Sequence, residues 1–251
     1  LGFVLLPAVV TAVVAFNHGS LISFPPKEWS LRWFERALSY RDFRNGFYNS
    51  MIIMVATSII SVIVGGTLAY VIDRYSFMGK RILEAILTSP LVIPYFTIGI
   101  GFLIFASQIG LARSYAVVVI THVVLVLPFV LRSLYVSLRN LDQRLEMAAA
   151  GLGASPWQVL RTITLPLMVP GFFAGILFSA ILSFNEFTAS LFVTAQRTQT
   201  LPVAMYNYVR EYADPSMAAL SVIFFIITTL LLTLMNATLG LGKVLAIVER
   251  D

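Results

Sequence analysis

The chain has 251 residues, of which 59% are hydrophobic, 13% aromatic and only 12% charged; this is more apolar surface than a soluble fold of that length buries, so the sequence reads as a membrane protein. The net charge of +5 is spread at the edges of hydrophobic blocks and forms no basic stripe, which argues against a nucleic-acid partner. The absence of cysteine removes disulfides, thiolate metal sites and cysteine nucleophiles.

The apolar residues come in long unbroken blocks, whereas a membrane β-barrel alternates apolar with polar. At roughly 20 residues per spanning helix, six spans use about 120 positions and leave no room for a separate soluble domain. The expectation is therefore an all-α, polytopic membrane protein with about six transmembrane helices, forming a single transmembrane domain over 1–251.

In chain order, the first block starts at Leu1 with neither Met nor a basic flank, which predicts further chain upstream, and its apolar part ends near Phe16. Residues 47–72 carry no charge. A third block lies between Glu84 and Arg113, interrupted by Pro90, Pro94, Gly99 and Gly101. The fourth lies between Arg113 and Arg132, with His122 near its middle. A fifth runs over 171–193, opening on the G-x-x-x-G pair Gly171 and Gly175, and its one charge is Glu186. The sixth covers 215–242. Basic residues divide almost evenly between the two sets of loops, so the positive-inside rule gives no orientation.

Between the fourth and fifth blocks, residues 138–170 keep a helical grammar. With Leu141 at zero on a helical wheel, Leu145, Ala148, Ala149 and Leu152 fall within about 100°. Gly151 and Gly153 then supply a stop. Ser155-Pro156-Trp157-Gln158 reads as a new start, with Ser155 as N-cap, Pro156 at the first helical position and Gln158 completing a capping box. Pro166 and Pro170 are expected to end that piece. The loop thus reads as two short helices at a sharp angle, low in side-chain bulk, either lying on the membrane or serving as a rigid docking element for another protein.

At this point the chain resembles the transmembrane permease subunits of type I ABC importers, which depend on a substrate-binding protein. Their cytoplasmic loop has the form E-A-A-x-x-x-G-x9-I-x-L-P. Here Met147-Ala148-Ala149-Ala150-Gly151-Leu152-Gly153 is followed by Ala154, Ser155 and Ile163-Thr164-Leu165-Pro166. Met147 stands where the motif has Glu, and Glu146, one residue earlier, lies a 100° turn away. The resemblance implies an ATPase-coupling set of Glu146, Met147, Ala148, Ala149, Gly151, Leu152, Gly153, Ala154, Ser155, Leu165 and Pro166. It also implies that loop 138–170 is cytoplasmic, that segments 17–46, 107–113 and 194–214 face the other side, and that the protein sits in a bacterial inner membrane. The implied partners are a second, homologous but non-identical permease chain, two ATP-binding subunits and a periplasmic or lipid-anchored binding protein.

No cofactor is expected in this chain, and ATP and Mg would belong to the partner ATPase. That agrees with the sequence itself, which has no phosphate-binding G-x-x-x-x-G-K-[ST] loop. Within the family, Ser183 to Thr188, Thr200-Leu201-Pro202 and Pro215 with Ala218-Ala219-Leu220 look most like the spermidine/putrescine group, although groups importing ferric iron, phosphonates or opines share much of this wording. The class alternative is a stand-alone ion-coupled transporter or channel.

Asn185, Glu186 and His122 are the candidates for a substrate pathway. A carboxylate within a span faces a cavity or a partner, and counting from Gly171 puts Glu186 roughly 22 Å along its helix. It would either attract a cationic cargo or bond to a neighbouring helix. His122 reads first as an imidazole shared between helices, and two histidines this far apart make no metal site. Trp29, Trp33, Tyr206, Tyr208 and Tyr212 are expected at water-facing edges.

Overall fold

The computed structural model describes residues 2–20, 23–212 and 214–239. Among them the secondary structure is helical, apart from a single bridge pairing Asn17 with Trp29. The chain divides into two compact units, 1–51 with 194–234 and 52–193 with 235–251.

In the first unit, α1 (Gly2–Val14) is followed by the amphipathic α2 (Arg32–Ser39), the start of α3 (Arg41–Arg74), α12 (Leu201–Glu211) and most of α13 (Ser216–Leu239). Trp33 is fully buried, with the Arg32 guanidinium 4.3 Å from its ring. Tyr208 is buried too, 5.0 Å from the Tyr40 ring, and its hydroxyl donates to Asp214 at 2.8 Å. Both were expected at a water-facing edge; instead Tyr208 sits among the Tyr40, Phe43 and Tyr212 rings and Trp33 is buried against the Arg32 and Arg36 guanidiniums, because α2 and α12 each turn an apolar face inward. Asn49 Nδ2 donates to the Arg197 and Gln199 carbonyls at 3.1 and 2.9 Å, and Ser50 Oγ accepts from Leu201 N–H at 2.9 Å, tying segment 197–201 to α3.

The second unit holds the rest of α3, α4 (Lys80–Thr88) with a 3-10 turn (Ser89–Leu91), α5 (Tyr95–Gln108), α6 (Tyr115–Arg139), α7 (Gln143–Gly151), α8 (Pro156–Val159), a π turn (Leu160–Thr164), α9 (Leu165–Leu167), α10 (Val169–Phe184) and α11 (Ser190–Val193). Its core lies along α6, where Val126, Val130, Leu131, Leu134 and Leu138 pack with Val62, Ala69 and Ile72 of α3. The G-x-x-x-G pair works as expected: a Cβ on Gly171 would collide with the Ser137 side chain, and one on Gly175 would meet Val130 at 3.4 Å and Val62 at 3.5 Å.

Outside that core the unit also exposes apolar and buries polar side chains, unlike a water-soluble fold. Ile52, Val55, Ile59 and Ile63 form an exposed face of α3, while Thr57, Ser61, Thr121, His122, Ser179 and Ser183 are buried. Lipid is the solvent for which that distribution is favourable. Helices α3 and α6 are each long and apolar enough to cross a membrane alone, and two bent pairs bring the number to four. Residues 216–239 add an uncharged 24-residue helix in the sixth block, and α1 fills the first.

The third expected span is bent, and the fifth is broken. In the third block, Lys80–Leu91 and Tyr95–Gln108 meet at 105°. Pro94 is itself extended, with ψ 133°, and serves as the N-cap behind which α5 starts afresh. In the fifth, α10 stops at Phe184, and a non-helical stretch separates it from α11.

Candidate functional site

The 138–170 loop is the two-piece elbow that its spacing predicts. Asp142 caps α7, accepting from Arg144 N–H at 2.9 Å. At the other end Gly153 adopts φ +88°, Gly153 N–H donates to Ala150 O, and Ala154 N–H donates to Ala149 O at 3.1 Å. This is a Schellman stop, in which a left-handed glycine lets the chain reverse and satisfies the last carbonyls. The capping box follows: Ser155 Oγ accepts from Gln158 N–H, and Gln158 Oε1 accepts from Ser155 N–H at 2.7 Å. Two terminal motifs back to back fix the angle with little help from packing.

The elbow's side chains point outward. Met147 is 63% exposed, Trp157 65% and Leu152 91%, and Leu145 is exposed as well. Ala148, Gly151, Gly153, Ser155, Leu165 and Pro166 are also exposed, while Ala149 and Ala154 are half-buried. Pro166 does not end the second piece. The helix continues through the π turn into α9, with Pro166 in the first turn, where a missing N–H is tolerated, and the 63° bend comes at Met168. Glu146 is the inward-facing member of the set, with its carboxylate on Arg74 and Thr164.

The residues considered for a pathway form a second cluster. Glu186 is not inside a helix; it lies beyond Asn185, the C-cap of α10, because Glu186 and the residues after it leave the α-helical path. Its carboxylate turns back onto the start of α11. Oε1 accepts from Ala189 N–H at 2.8 Å, and Oε2 accepts from Ser190 N–H at 2.8 Å and from Ser190 Oγ at 2.6 Å. His122 is fully buried, with Nδ1 2.8 Å from Ser183 Oγ and Nε2 2.8 Å from Ser190 Oγ.

The one Ser190 hydroxyl proton goes to Glu186, so His122 Nε2 carries the hydrogen in its contact with Ser190, and Nδ1 accepts from Ser183. His122 Nε2 also stands 3.8 Å from Glu186 Oε2. The cluster pins α6, the end of α10 and α11 together. Of the three candidates, only Asn185 is exposed, with Nδ2 donating to Ile181 O.

Sequence reasoning missed Ser183 and Ser190 here, and Asp73, Arg74 and Thr164 at the elbow. Ser183 and Ser190 sit three before and four after Glu186, a spacing that would mark them on one face of the continuous helix the sequence suggests. Asp73 and Arg74 read simply as charges at a membrane edge.

The sequence profile described as "binding-protein-dependent transport system inner membrane component" matches residues 61–239. The spermidine/putrescine transport system permease protein PotC of Escherichia coli (strain K12) is 26% identical over 226 residues, covering 90% of this chain and 85% of its own. The putrescine transport system permease protein PotI of the same strain is 29% identical over 230 residues, covering 88% and 82%. The molybdenum transport system permease protein ModB of Haemophilus influenzae is 32% identical over 207 residues, covering 76% and 90%. Among solved structures, a bacterial alginate ABC transporter in complex with its alginate pentasaccharide-bound periplasmic protein contains a chain with a TM-score of 0.72 at 15% identity, covering 93% of this chain and 87% of that one. A chain of the inward-facing MetNI methionine ABC transporter gives 0.65 at 19%, covering 78% and 93%.

Proposed function

The chain belongs to the family of binding-protein-dependent transport system inner membrane components and is a permease subunit of an ABC importer, and from that premise we propose that its cargo is a polyamine of the spermidine/putrescine kind. In this reading it is a multi-pass protein of a bacterial inner membrane. It pairs with a homologous permease chain, is driven by two ATP-binding subunits that hold ATP and Mg, and receives cargo from a binding protein. Loop 138–170 faces the cytoplasm, and 17–46, 107–113 and 194–214 face the other side.

The observation that carries the mechanism is the elbow. A rigid turn offers an apolar ridge of Leu145 and Leu152, with Met147 and Trp157 exposed elsewhere on it, that the described residues of the chain do not cover. Such a ridge fits a hydrophobic groove on a partner. ATP-driven closure of the two nucleotide-binding subunits would then move the elbow and rock the helices attached to it. His122 and Glu186 position the helix break, and direct pathway contact falls to the exposed Asn185.

The cargo reading rests on the two polyamine permeases, whose similarity extends over 88–90% of this chain. Purification in mild detergent should bring down an ATPase, and the cognate binding protein should carry spermidine or putrescine when its ligand is identified by mass spectrometry. Ferric iron, a phosphonate, an opine or a molybdenum-containing anion in that protein would replace the polyamine while leaving the permease assignment standing. Substrate flux through this polypeptide alone in ATP-free liposomes would overturn the assignment to an ATP-driven importer.

A further inference from the structure

Helix α7 projects its apolar side chains outward and has no buried residue of its own. The elbow is rooted in the core only at its ends, through Leu138, Leu141 and Met168, and the attachment along α7 itself is ionic. Glu146 Oε2 lies 2.9 Å from Arg74 Nη2, at the very end of α3, and Glu146 Oε1 accepts from Thr164 Oγ1, in the π turn, at 2.5 Å. Arg74 Nη1 lies 2.6 Å from Asp73 Oδ2, and Arg139 Nε, at the end of α6, is 3.9 Å from Asp73 Oδ1. The Arg74 and Glu146 side chains are 13% and 17% exposed and that of Asp73 is 1% exposed.

Two carboxylates thus face two guanidiniums, and the group is balanced in charge. Pairs held largely out of water differ from surface pairs: removing Arg74 or Glu146 strands the other in a poor solvent, whereas Arg139, whose side chain is 63% exposed, adds only a weak surface contact. It joins α3, α6, α7 and the π turn at one point. It also uses up the acidic side chain nearest to the place where the family motif has its glutamate, since both Glu146 oxygens are engaged inside the chain.

We propose that Glu146, Arg74 and Asp73 form a force-bearing tether, with Glu146 a positioning residue that makes the elbow move with α3 and does not touch the ATPase. The tether rests on the permease assignment above and specifies how motion leaves the elbow. Docking belongs to the apolar ridge; transmission belongs to the ion cluster.

The test uses the complete importer, with its ATPase and binding protein, in proteoliposomes, reading cargo taken up per ATP hydrolysed. Glu146→Gln and Arg74→Gln should each keep the ATPase bound and hydrolysing while lowering that ratio by a factor of roughly 2 to 30. The double variant should be no worse than the worse single, because both remove one link. Since the chain has no cysteine, Arg74→Cys combined with Glu146→Cys provides a unique pair, and bridging it with a short bis-thiol reagent should restore most of the lost ratio.

An unchanged ratio, additive losses, a cross-link that forms without recovery, or loss of ATPase binding in Glu146→Gln would each overturn the tether. A wild-type assembly that neither hydrolyses ATP nor imports would overturn the permease assignment first, and is recognisable because it involves no substitution.

Discussion

Glu186→Gln separates a carboxylate that serves the fold from one that serves the cargo. The side chain keeps its length and loses one acceptor. If the amide nitrogen takes the Oε1 place, the Ala189 N–H, now 2.8 Å from an oxygen, faces a donor. A buried N–H left unpaired costs about 1–3 kcal/mol. The two bonds from Ser190, at 2.8 and 2.6 Å, survive but lose their charge assistance, at about 1 kcal/mol each. In the opposite placement the Ser190 N–H faces a donor instead, while the Ser190 hydroxyl can turn to accept from the amide. The sum, about 3–5 kcal/mol, corresponds at roughly 2–4 °C per kcal/mol to a fall of about 6–20 °C in the midpoint of thermal unfolding. The assay is the apparent Tm of the detergent-purified complex, read beside the uptake KM. A Tm within a degree or two of wild type together with a raised KM for a polycation would refute the capping role and return Glu186 to the pathway.

Three further outcomes follow from contacts elsewhere. Gly153→Val forces a branched residue to φ +88°, a cost of about 1–2 kcal/mol, and should reduce ATPase co-purification while membrane insertion stays intact; wild-type uptake would remove the elbow from the mechanism. Gly171→Ala pushes a methyl group into Ser137, whereas Gly101→Ala meets nothing within 4 Å, so the first should lose about 1–3 kcal/mol of stability and the second should not; equal melting points for the two would contradict the packing. Asn49→Ala leaves the Arg197 and Gln199 carbonyls without their side-chain donor, a loss of about 1–3 kcal/mol that should show as faster limited proteolysis within 194–200, and an unaltered cleavage rate would count against it.

The legible parts of the sequence were those governed by local chemistry. The elbow follows from Gly153, Ser155, Pro156 and Gln158, each of which acts within a few residues of itself, and its structure has those caps. The apolar blocks were equally plain, since lipid demands them. What stayed hidden depends on residues distant in sequence. Nothing local tells that the Glu146 carboxylate meets Arg74, 72 positions earlier, or that Ser183 and Ser190 close around His122. The break after Phe184 escaped for a related reason: the apolar run continues, and what ends the helix is a carboxylate finding better donors in the next segment. Trp33 and Tyr208 were misplaced because an aromatic at a membrane edge and one in a small core carry the same composition.

A last consequence concerns Gly99. A Cβ there would come within 2.8 Å of the Ala189 Cα, so α5 lies flush against the same residue whose amide Glu186 holds. Two backbones this close have no lubricating layer of side chains, and neither can slide without lifting off the other. Helix α5 and the α11 segment therefore travel as one piece, and one border of that piece lies at Val92 to Pro94, where the chain already bends. Natural variation should follow the same map, with position 99 closed to every residue but glycine while Gly101, two steps along and free of neighbours, accepts nearly any apolar side chain.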